Sequence, residues 1–276
     1  MCVLQVALEL ELELLQEEEQ GKDVVKKTNP KKKKNRNKKK KNKSKLSLRK
    51  VRRYRNLQAN RGWGNSMLLP KPDGTFRMNH HNTNGQQLVN PQGGTYHTAC
   101  THLRDMSVNL AGFTEINLDT RKAQVQCKLH QAARTTTTHY RLQSSSSTFV
   151  SSGEYKPGGT LTVLRYNSVS RFNSKGSDPL GRWSYITLNC SGTGKLTFVT
   201  AYQPCKGKPK LDSATTASQQ HAQLLQEKRR NPERIRHHFI QDLTKFIKQC
   251  RQSGSKCVLQ GDFNEVIGQG SDGMSR

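Results

Sequence analysis

Gly261-Asp262-Phe263-Asn264 stands near the end of this 276-residue chain, shortly after the apolar run Cys257-Val258-Leu259. A short apolar run that follows a helical pattern predicts a buried strand, which places the four residues at its C-terminal end. Residues two apart on a strand point to the same side, so the Asp262 carboxylate and the Asn264 amide are predicted to enter one cleft. Together they can hold and deprotonate a water, which suits phosphodiester hydrolysis. The alternative is a turn cap, because Asp and Asn also follow strands in that role.

The formal charge of +27 is spread unevenly along the chain. Residues 1–20 hold six Glu and no basic residue, whereas residues 21–55 hold 19 Lys and Arg with one Asp. The excess continues through residues 56–276, which hold 28 Lys and Arg against 13 Asp and Glu. A basic body of this kind indicates a polyanionic partner, nucleic acid before membrane. A basic surface kept for solubility is the alternative.

The basic residues of the N-terminal region stand in uninterrupted blocks. A segment that repels itself and has little to bury is predicted to be disordered, so we assign residues 1–73 to an arm and residues 74–276 to the folded domain. The arm suits a nuclear-import signal or a non-specific phosphate-binding segment. The blocks are Lys31, Lys32, Lys33 and Lys34, then Lys38, Lys39, Lys40 and Lys41.

Cysteine usage and the N-terminus bear on the compartment. The seven cysteines are odd in number and contain no Cys-x-x-Cys pair, which argues against a zinc site or a disulfide framework and favours a reducing compartment. The first fifteen residues lack the positive charge of a signal peptide, and no window is apolar for long enough to span a membrane. We therefore expect a nuclear or otherwise cytoplasmic protein that is not secreted and has no membrane partner.

Hydrophobic periodicity predicts a layered α/β body. The regions 183–188 and 196–202 are predicted to form a β-hairpin, and Pro232 is predicted to begin a helix with one apolar stripe. The segment between them is predicted to be a basic, Gln-rich connector. Other predicted elements are a strand at 76–81, a helix containing Leu103, Met106 and Leu110, a strand from Leu110 to Glu115, a helix at 121–134 and a strand at 160–164.

Four polar motifs follow apolar strands in order: Asn82-Thr83-Asn84-Gly85, Glu115, Tyr202-Gln203-Pro204 and Gly261-Asp262-Phe263-Asn264. With Gly158-Gly159 and Gly181-Arg182-Trp183, they make residues 74–268 resemble the endonuclease/exonuclease/phosphatase superfamily, closest to the endonuclease domains that precede reverse transcriptases in non-LTR retrotransposons. The resemblance implies a DNase I-like four-layer α/β sandwich that is incomplete at its C-terminus.

The resemblance also implies roles for individual residues. Asn82, Asn84 and Glu115 match the residues beside a divalent ion, Mg²⁺ or Mn²⁺, and Tyr202 matches the tyrosine that contacts the scissile phosphate. Asp262 matches the group that orients and deprotonates the attacking water, and Asn264 the amide that helps to place it. Arg182 is expected either to contact nucleic acid or to fix the start of its strand. Ordinary alternatives are a solvent-facing strand-end acid for Glu115 and an ordinary strand aromatic with a solvated tip for Tyr202.

The sequence departs from the superfamily pattern at several positions. The last histidine is His238, so no histidine follows the Gly261-Asp262-Phe263-Asn264 motif, whereas the superfamily pattern closes with one. His80 and His81 replace residues that are usually apolar, and Cys205 replaces an asparagine. We therefore expect a truncated, impaired or inactive DNA endonuclease whose partner is DNA or RNA. The alternatives are a non-catalytic nucleic-acid binder and a phosphoesterase of the same superfamily acting on inositol phosphates, phospholipids or nucleotides.

Overall fold

Two four-stranded sheets carry the fold in the computed structural model, which describes residues 71–83, 89, 95–149, 155–206 and 215–265. The strand orders are β1-β2-β4-β3 and β5-β6-β7-β8. The strands are β1 Met78–Asn82, β2 Leu110–Thr114, β3 Tyr140–Ser145, β4 Thr160–Arg165, β5 Phe172–Ser177, β6 Trp183–Asn189, β7 Lys195–Tyr202 and β8 Ser255–Asp262. The helices are α1 Thr95–Asp105, α2 Ala123–Arg134, α3 Thr216–Gln226 and α4 Ile235–Gln252, with a 3₁₀ turn at Tyr166–Arg171.

The first sheet is covered on its outer side by α1 and α2. Strand β2 lies parallel to β1 and antiparallel to β4, and all of its residues are buried. Its Phe113 packs in one apolar cluster with Leu103 of α1 and with Val125 and Leu129 of α2. The period of about four between the buried residues of α2 explains why the sequence predicted this helix correctly.

The second sheet is covered on its outer side by α4. Strands β6 and β7 form the predicted hairpin, and β8 adds to β7 in parallel. Phe239 and Leu243 of α4 pack against Trp183, Val199 and Ala201 of the sheet. This part of the sequence-based assignment is confirmed, although α4 begins at Ile235 and not at Pro232.

The inner faces of the two sheets pack against each other. Their apolar contact contains Leu110, Leu164, Ile186, Leu188 and Phe198, all of them buried. The resulting order of layers is helices, sheet, sheet, helix, and the predicted four-layer α/β sandwich is confirmed. Part of the same contact is polar, because Thr162 Oγ1 donates to Thr200 Oγ1 at 2.9 Å across it.

Several elements differ from the sequence-based predictions. Leu110 begins β2 and does not belong to α1, which ends at Asp105. The segment expected to be a connector contains the helix α3, and β3 and β5 were not predicted. Asn84 and the lysine blocks of the arm lie outside the described residues, so their assignments stay predictions. Among the described helices, none has the length and apolar character that a membrane crossing requires.

Candidate active site

The C-terminal ends of four strands from both sheets meet at one end of the sandwich. Asn82 ends β1, Glu115 follows β2, Tyr202 ends β7 and Asp262 ends β8. Parallel pairing of β1 with β2 and of β7 with β8 brings each pair of ends together. The two pairs are joined because Asn82 Nδ2 donates to Asp262 Oδ2 at 2.5 Å. Four residues that are remote in the sequence therefore form one polar cluster.

Asp262 is held in place through both oxygens of its carboxylate. Oδ2 accepts from Asn82, and Oδ1 accepts from the backbone N–H of Asn264 at 2.9 Å. Its backbone carbonyl accepts from the N–H of Gln203 at 2.9 Å. The preceding Gly261 lies so close to β7 that a Cβ there would collide with the carbonyl of Ala201. Glycine at this position lets β8 stay paired up to Asp262.

Glu115 and Tyr202 form the second half of the cluster. The Tyr202 side chain, 5% exposed, forms a hydrogen bond with the Glu115 side chain. Burial, followed by the negative charges of Glu115 and Asp262, raises the pKa of Tyr202 well above its usual value. The phenol is therefore neutral at physiological pH and can donate a hydrogen bond to an oxygen acceptor.

The backbone at Glu115 adopts an unusual conformation. Glu115 has a φ of 55° and Asn117 a φ of 54°, values in the left-handed region that only a few per cent of non-glycine residues adopt. The Gly158-Gly159 pair secures this turn: the N–H of Gly158 donates to Asn117 Oδ1 at 2.9 Å, and the N–H of Asn117 donates to the Gly158 carbonyl at 2.9 Å. Such conformations persist where the surroundings enforce them, often at active sites.

The orientation predicted for Asn264 needs correction. Strand β8 ends at Asp262, and Asn264 has a φ of 48°, so strand alternation does not extend to it. Its Nδ2 donates to the Gln203 carbonyl at 2.7 Å, and its Oδ1 accepts from Cys205 Sγ at 3.3 Å. The Asn264 side chain thus fastens the loop after β7, while its backbone N–H positions Asp262.

The prediction that Arg182 contacts nucleic acid is also corrected. Arg182 is 2% exposed, and its guanidinium donates to both carboxylate oxygens of Asp178 at 2.8 Å and to Asp242 at 3.0 Å. Its carbonyl accepts from the N–H of Tyr202 at 2.7 Å. Arg182 therefore fixes the start of β6, as one of its two expected roles required, and it also supports the Tyr202 backbone.

His80 belongs to the site although sequence reasoning gave it no role. Its Nε2 lies 3.2 Å from Thr114 Oγ1. Burial lowers the pKa of His80 to about 4, against the opposing influence of Asp262. The imidazole is therefore neutral at physiological pH. The signal available in the sequence was a histidine at an inward position of a strand, two residues before Asn82.

The donor set at this end suits a hard divalent cation. Glu115 and Asp262 offer carboxylate oxygens and Asn82 an amide oxygen, and Mg²⁺ is usually bound through one or two carboxylates plus several waters. Within the part of the chain that the structure describes, no group of three or more His, Cys, Asp or Glu could enclose a metal ion. The residues therefore fit an ion that keeps much of its hydration and do not fit a closed protein cage.

Solved structures similar to this chain include the catalytic domain of APE2 from Xenopus laevis, with 14% identity over 68% of this chain and 58% of that one, at a TM-score of 0.42. AP endonuclease LMAP from Leishmania major has 13% identity over 63% and 53%, with a TM-score of 0.38. An endonuclease/exonuclease/phosphatase family protein from Leptotrichia buccalis has 13% identity over 69% and 67%, with a TM-score of 0.36. The chain thus spans little more than half the length of two of these relatives. No family model and no curated protein matches the chain.

Proposed function

We propose that this site hydrolyses phosphodiester bonds of DNA with the help of a divalent ion, in the manner of a retrotransposon-type endonuclease. The observation that carries the proposal is the 2.5 Å contact between Asn82 and Asp262, which joins the strand ends bearing Glu115 and Tyr202. Asn82, Glu115 and Asp262 are only partly buried, so a substrate can reach them. The basic excess of residues 56–276 favours a polyanionic substrate.

Asp262 is the base in this proposal. Hydrogen bonds from Asn82 and from the N–H of Asn264 fix the orientation of its carboxylate, which would accept a proton from the attacking water. As the water oxygen forms a bond to phosphorus, Asp262 takes the water proton, the bond from phosphorus to the leaving oxygen breaks and that oxygen then takes up a proton. A base positioned in this way typically contributes about 10²–10⁴-fold.

Tyr202 and Glu115 act on the phosphate and on the ion. The neutral phenol of Tyr202 has one O–H, which would turn from Glu115 to a non-bridging phosphate oxygen as negative charge develops there. Glu115 and Asn82 are the described residues that would hold Mg²⁺ or Mn²⁺. A bound ion supplies charge stabilisation for the phosphate and for the leaving oxygen.

A plasmid-nicking assay tests the proposal. The purified chain is incubated with supercoiled plasmid and Mg²⁺ or Mn²⁺, beside Asp262→Asn, Glu115→Gln and the surface control Glu227→Gln. In line with the impaired activity expected from the sequence, we expect weak metal-dependent nicking that Asp262→Asn and Glu115→Gln reduce at least about 100-fold and that Glu227→Gln leaves unchanged. The proposal is contradicted if nicking persists in Asp262→Asn. It is also contradicted if the chain hydrolyses inositol phosphates, phospholipids or nucleotides faster than it nicks plasmid.

Non-catalytic nucleic-acid binding is the second candidate, and the charge distribution favours it. Residues 21–55 hold 19 Lys and Arg, so the arm alone could bind phosphates. Binding without hydrolysis, retained in Glu115→Gln but lost when residues 22–55 are deleted, would select this function. Hydrolysis that Asp262→Asn abolishes would exclude it.

A further inference from the structure

One arginine at the start of α4 contacts both segments that leave the candidate active site. Arg236 lies in the first turn of the helix, and its side chain is 13% exposed. Its Nη1 donates to the carbonyl of Pro204, two residues after Tyr202. Its Nη2 donates to the carboxylate of Glu265, three residues after Asp262. A single guanidinium thus joins the segment after β7 to the segment after β8.

The ion pair between Arg236 and Glu265 is shielded from water. The Glu265 side chain is 8% exposed, and its second oxygen lies 3.4 Å from Nζ of Lys206. Because Lys206 is largely exposed, solvent weakens that second contact, and the pair with Arg236 is the stronger one. A guanidinium presents its donors in a rigid fork, so Arg236 can hold a carbonyl and a carboxylate in one fixed arrangement.

An apolar contact joins α4 to the same segment. Phe263 lies between Asp262 and Asn264, and its ring packs against Phe239 with 6.4 Å between the ring centroids. Phe239 is buried against the second sheet and lies three residues after Arg236, which places both on the same side of the helix. The helix therefore holds the segment after β8 through two neighbouring side chains.

The segments that Arg236 joins supply the backbone groups that hold Asp262. The N–H of Asn264 donates to Asp262 Oδ1, and the N–H of Gln203 donates to the Asp262 carbonyl, each at 2.9 Å. Each of these donors directly precedes a residue whose oxygen accepts from Arg236. A displacement of either segment would therefore change the position of the base.

We infer that Arg236 is a positioning residue, which holds the segments after β7 and β8 so that Tyr202 and Asp262 keep the arrangement that hydrolysis needs. The inference rests on the proposed function, because it gives the arginine a part in that reaction. Both Nη atoms of Arg236 already donate to protein oxygens, so the residue acts through the two segments and not on the phosphate. Its loss should therefore lower kcat and leave KM for DNA unchanged.

Two measurements test the inference: plasmid nicking at several plasmid concentrations, and hydrogen exchange of single backbone amides followed by NMR. Arg236→Met removes the guanidinium, and Arg236→Lys keeps the charge without the fork. Arg234→Met is the control, since it loses the same charge at the N-cap of the same helix. Arg234 is exposed, its side chain makes no capping hydrogen bond, and among the described residues it forms no ion pair.

For Arg236→Met we expect kcat to fall at least about tenfold while KM stays within about twofold, because small displacements of reacting groups cost rate and not ground-state binding. Exchange at the N–H groups of Gln203 and Asn264 should become at least about tenfold faster, whereas N–H groups inside β6 and β7 stay protected. Arg236→Lys should give intermediate values, and Arg234→Met should match the unmodified chain.

The inference is overturned if exchange at Gln203 and Asn264 is unchanged in Arg236→Met, if KM rises while kcat is kept, or if Arg234→Met has the same effects. Faster exchange throughout β6 and β7 in both Arg236 variants would also overturn it, since the arginine would then serve only the stability of the fold. Absence of nicking by the unmodified chain, with faster exchange at Gln203 and Asn264 still seen in Arg236→Met, would refute the proposed function alone.

Discussion

Asn82 and Asp262 lie 180 residues apart in the sequence, yet the Asn82 amide donates to the Asp262 carboxylate at 2.5 Å. Asn82 ends a strand of the first sheet and Asp262 ends a strand of the second. The contact therefore forms only when the two sheets pack correctly, so the integrity of the site depends on the core between them. We expect changes in that core to affect activity even where no site residue is altered.

Asn82→Ala should impair hydrolysis more than it impairs folding. The change leaves Asp262 Oδ2 without the hydrogen bond from Asn82, and hydrogen bonds to charged groups are worth about 1.5–3 kcal/mol, or about 10- to 150-fold in rate if the full amount is lost in the transition state. Initial nicking rates measure the effect, with Asn189→Ala, an exposed amide at the end of β6, as the control. Equal rates for both variants would show that Asn82 does not orient Asp262.

Tyr202→Phe tests the role of the phenol. The ring and its burial are kept, but the donor to Glu115 and to a phosphate oxygen is lost, and we expect the nicking rate to fall at least tenfold. Tyr185→Phe, on the same sheet, is the control.

Tyr202 should also make stability depend on pH in the alkaline range. Because the pKa of Tyr202 is raised in the folded state, its contribution to stability is complete below about pH 10 and falls as the pH rises further. Urea unfolding at pH 9 and pH 11 should show this loss in the unmodified chain and a smaller loss in Tyr202→Phe.

His80 should make stability depend on pH in the acidic range. Burial lowers its pKa to about 4 from an unfolded value of 6.5, so the unfolded chain binds a proton that the folded chain excludes. The contribution is complete above about pH 6.5 and is lost as the pH falls towards 4. Urea unfolding at pH 7 and pH 5 measures the difference, and His80→Gln should show a smaller one because glutamine does not titrate. An identical pH dependence in both proteins would refute this account of His80.

Arg182→Met should unfold the protein and not merely weaken DNA binding. Removing the guanidinium leaves Asp178 buried without its main partner, and breaking a buried ion pair costs about 3–5 kcal/mol. Arg182→Lys keeps the charge but not the paired geometry, so its stability should lie between that of the unmodified chain and that of Arg182→Met. Unmodified stability together with weakened DNA binding would restore the interpretation that Arg182 contacts nucleic acid.

Much of the site could be predicted because its residues follow recognisable strands. The apolar runs before Glu115 and Asp262 are short and bounded by turn residues, which is the pattern that strand prediction relies on, although the first run is buried and the second only half-buried. The contact between Asn82 and Asp262 could not be deduced in this way, since no local feature specifies the packing of two sheets. The half-buried position of His80 between the sheets was missed for the same reason.

Helix α3 was missed because its buried face is unusually polar. Ser218, Gln219, Gln220 and Gln223 face inward with only Leu224 among the apolar residues, so hydrophobic periodicity gave no signal. Strand β5 has no buried residue, and its sequence does not alternate. The Asn264 orientation was wrong because the strand ends two residues earlier than the alternation argument requires.

Diffraction from crystals of the protein soaked in Mn²⁺ tests the central claim most directly, since the anomalous signal locates the ion without reference to activity. Our account predicts a peak beside the carboxylates of Glu115 and Asp262, with waters completing the coordination. A crystal structure that separates these two carboxylates, or a Mn²⁺ peak found only elsewhere, would contradict it.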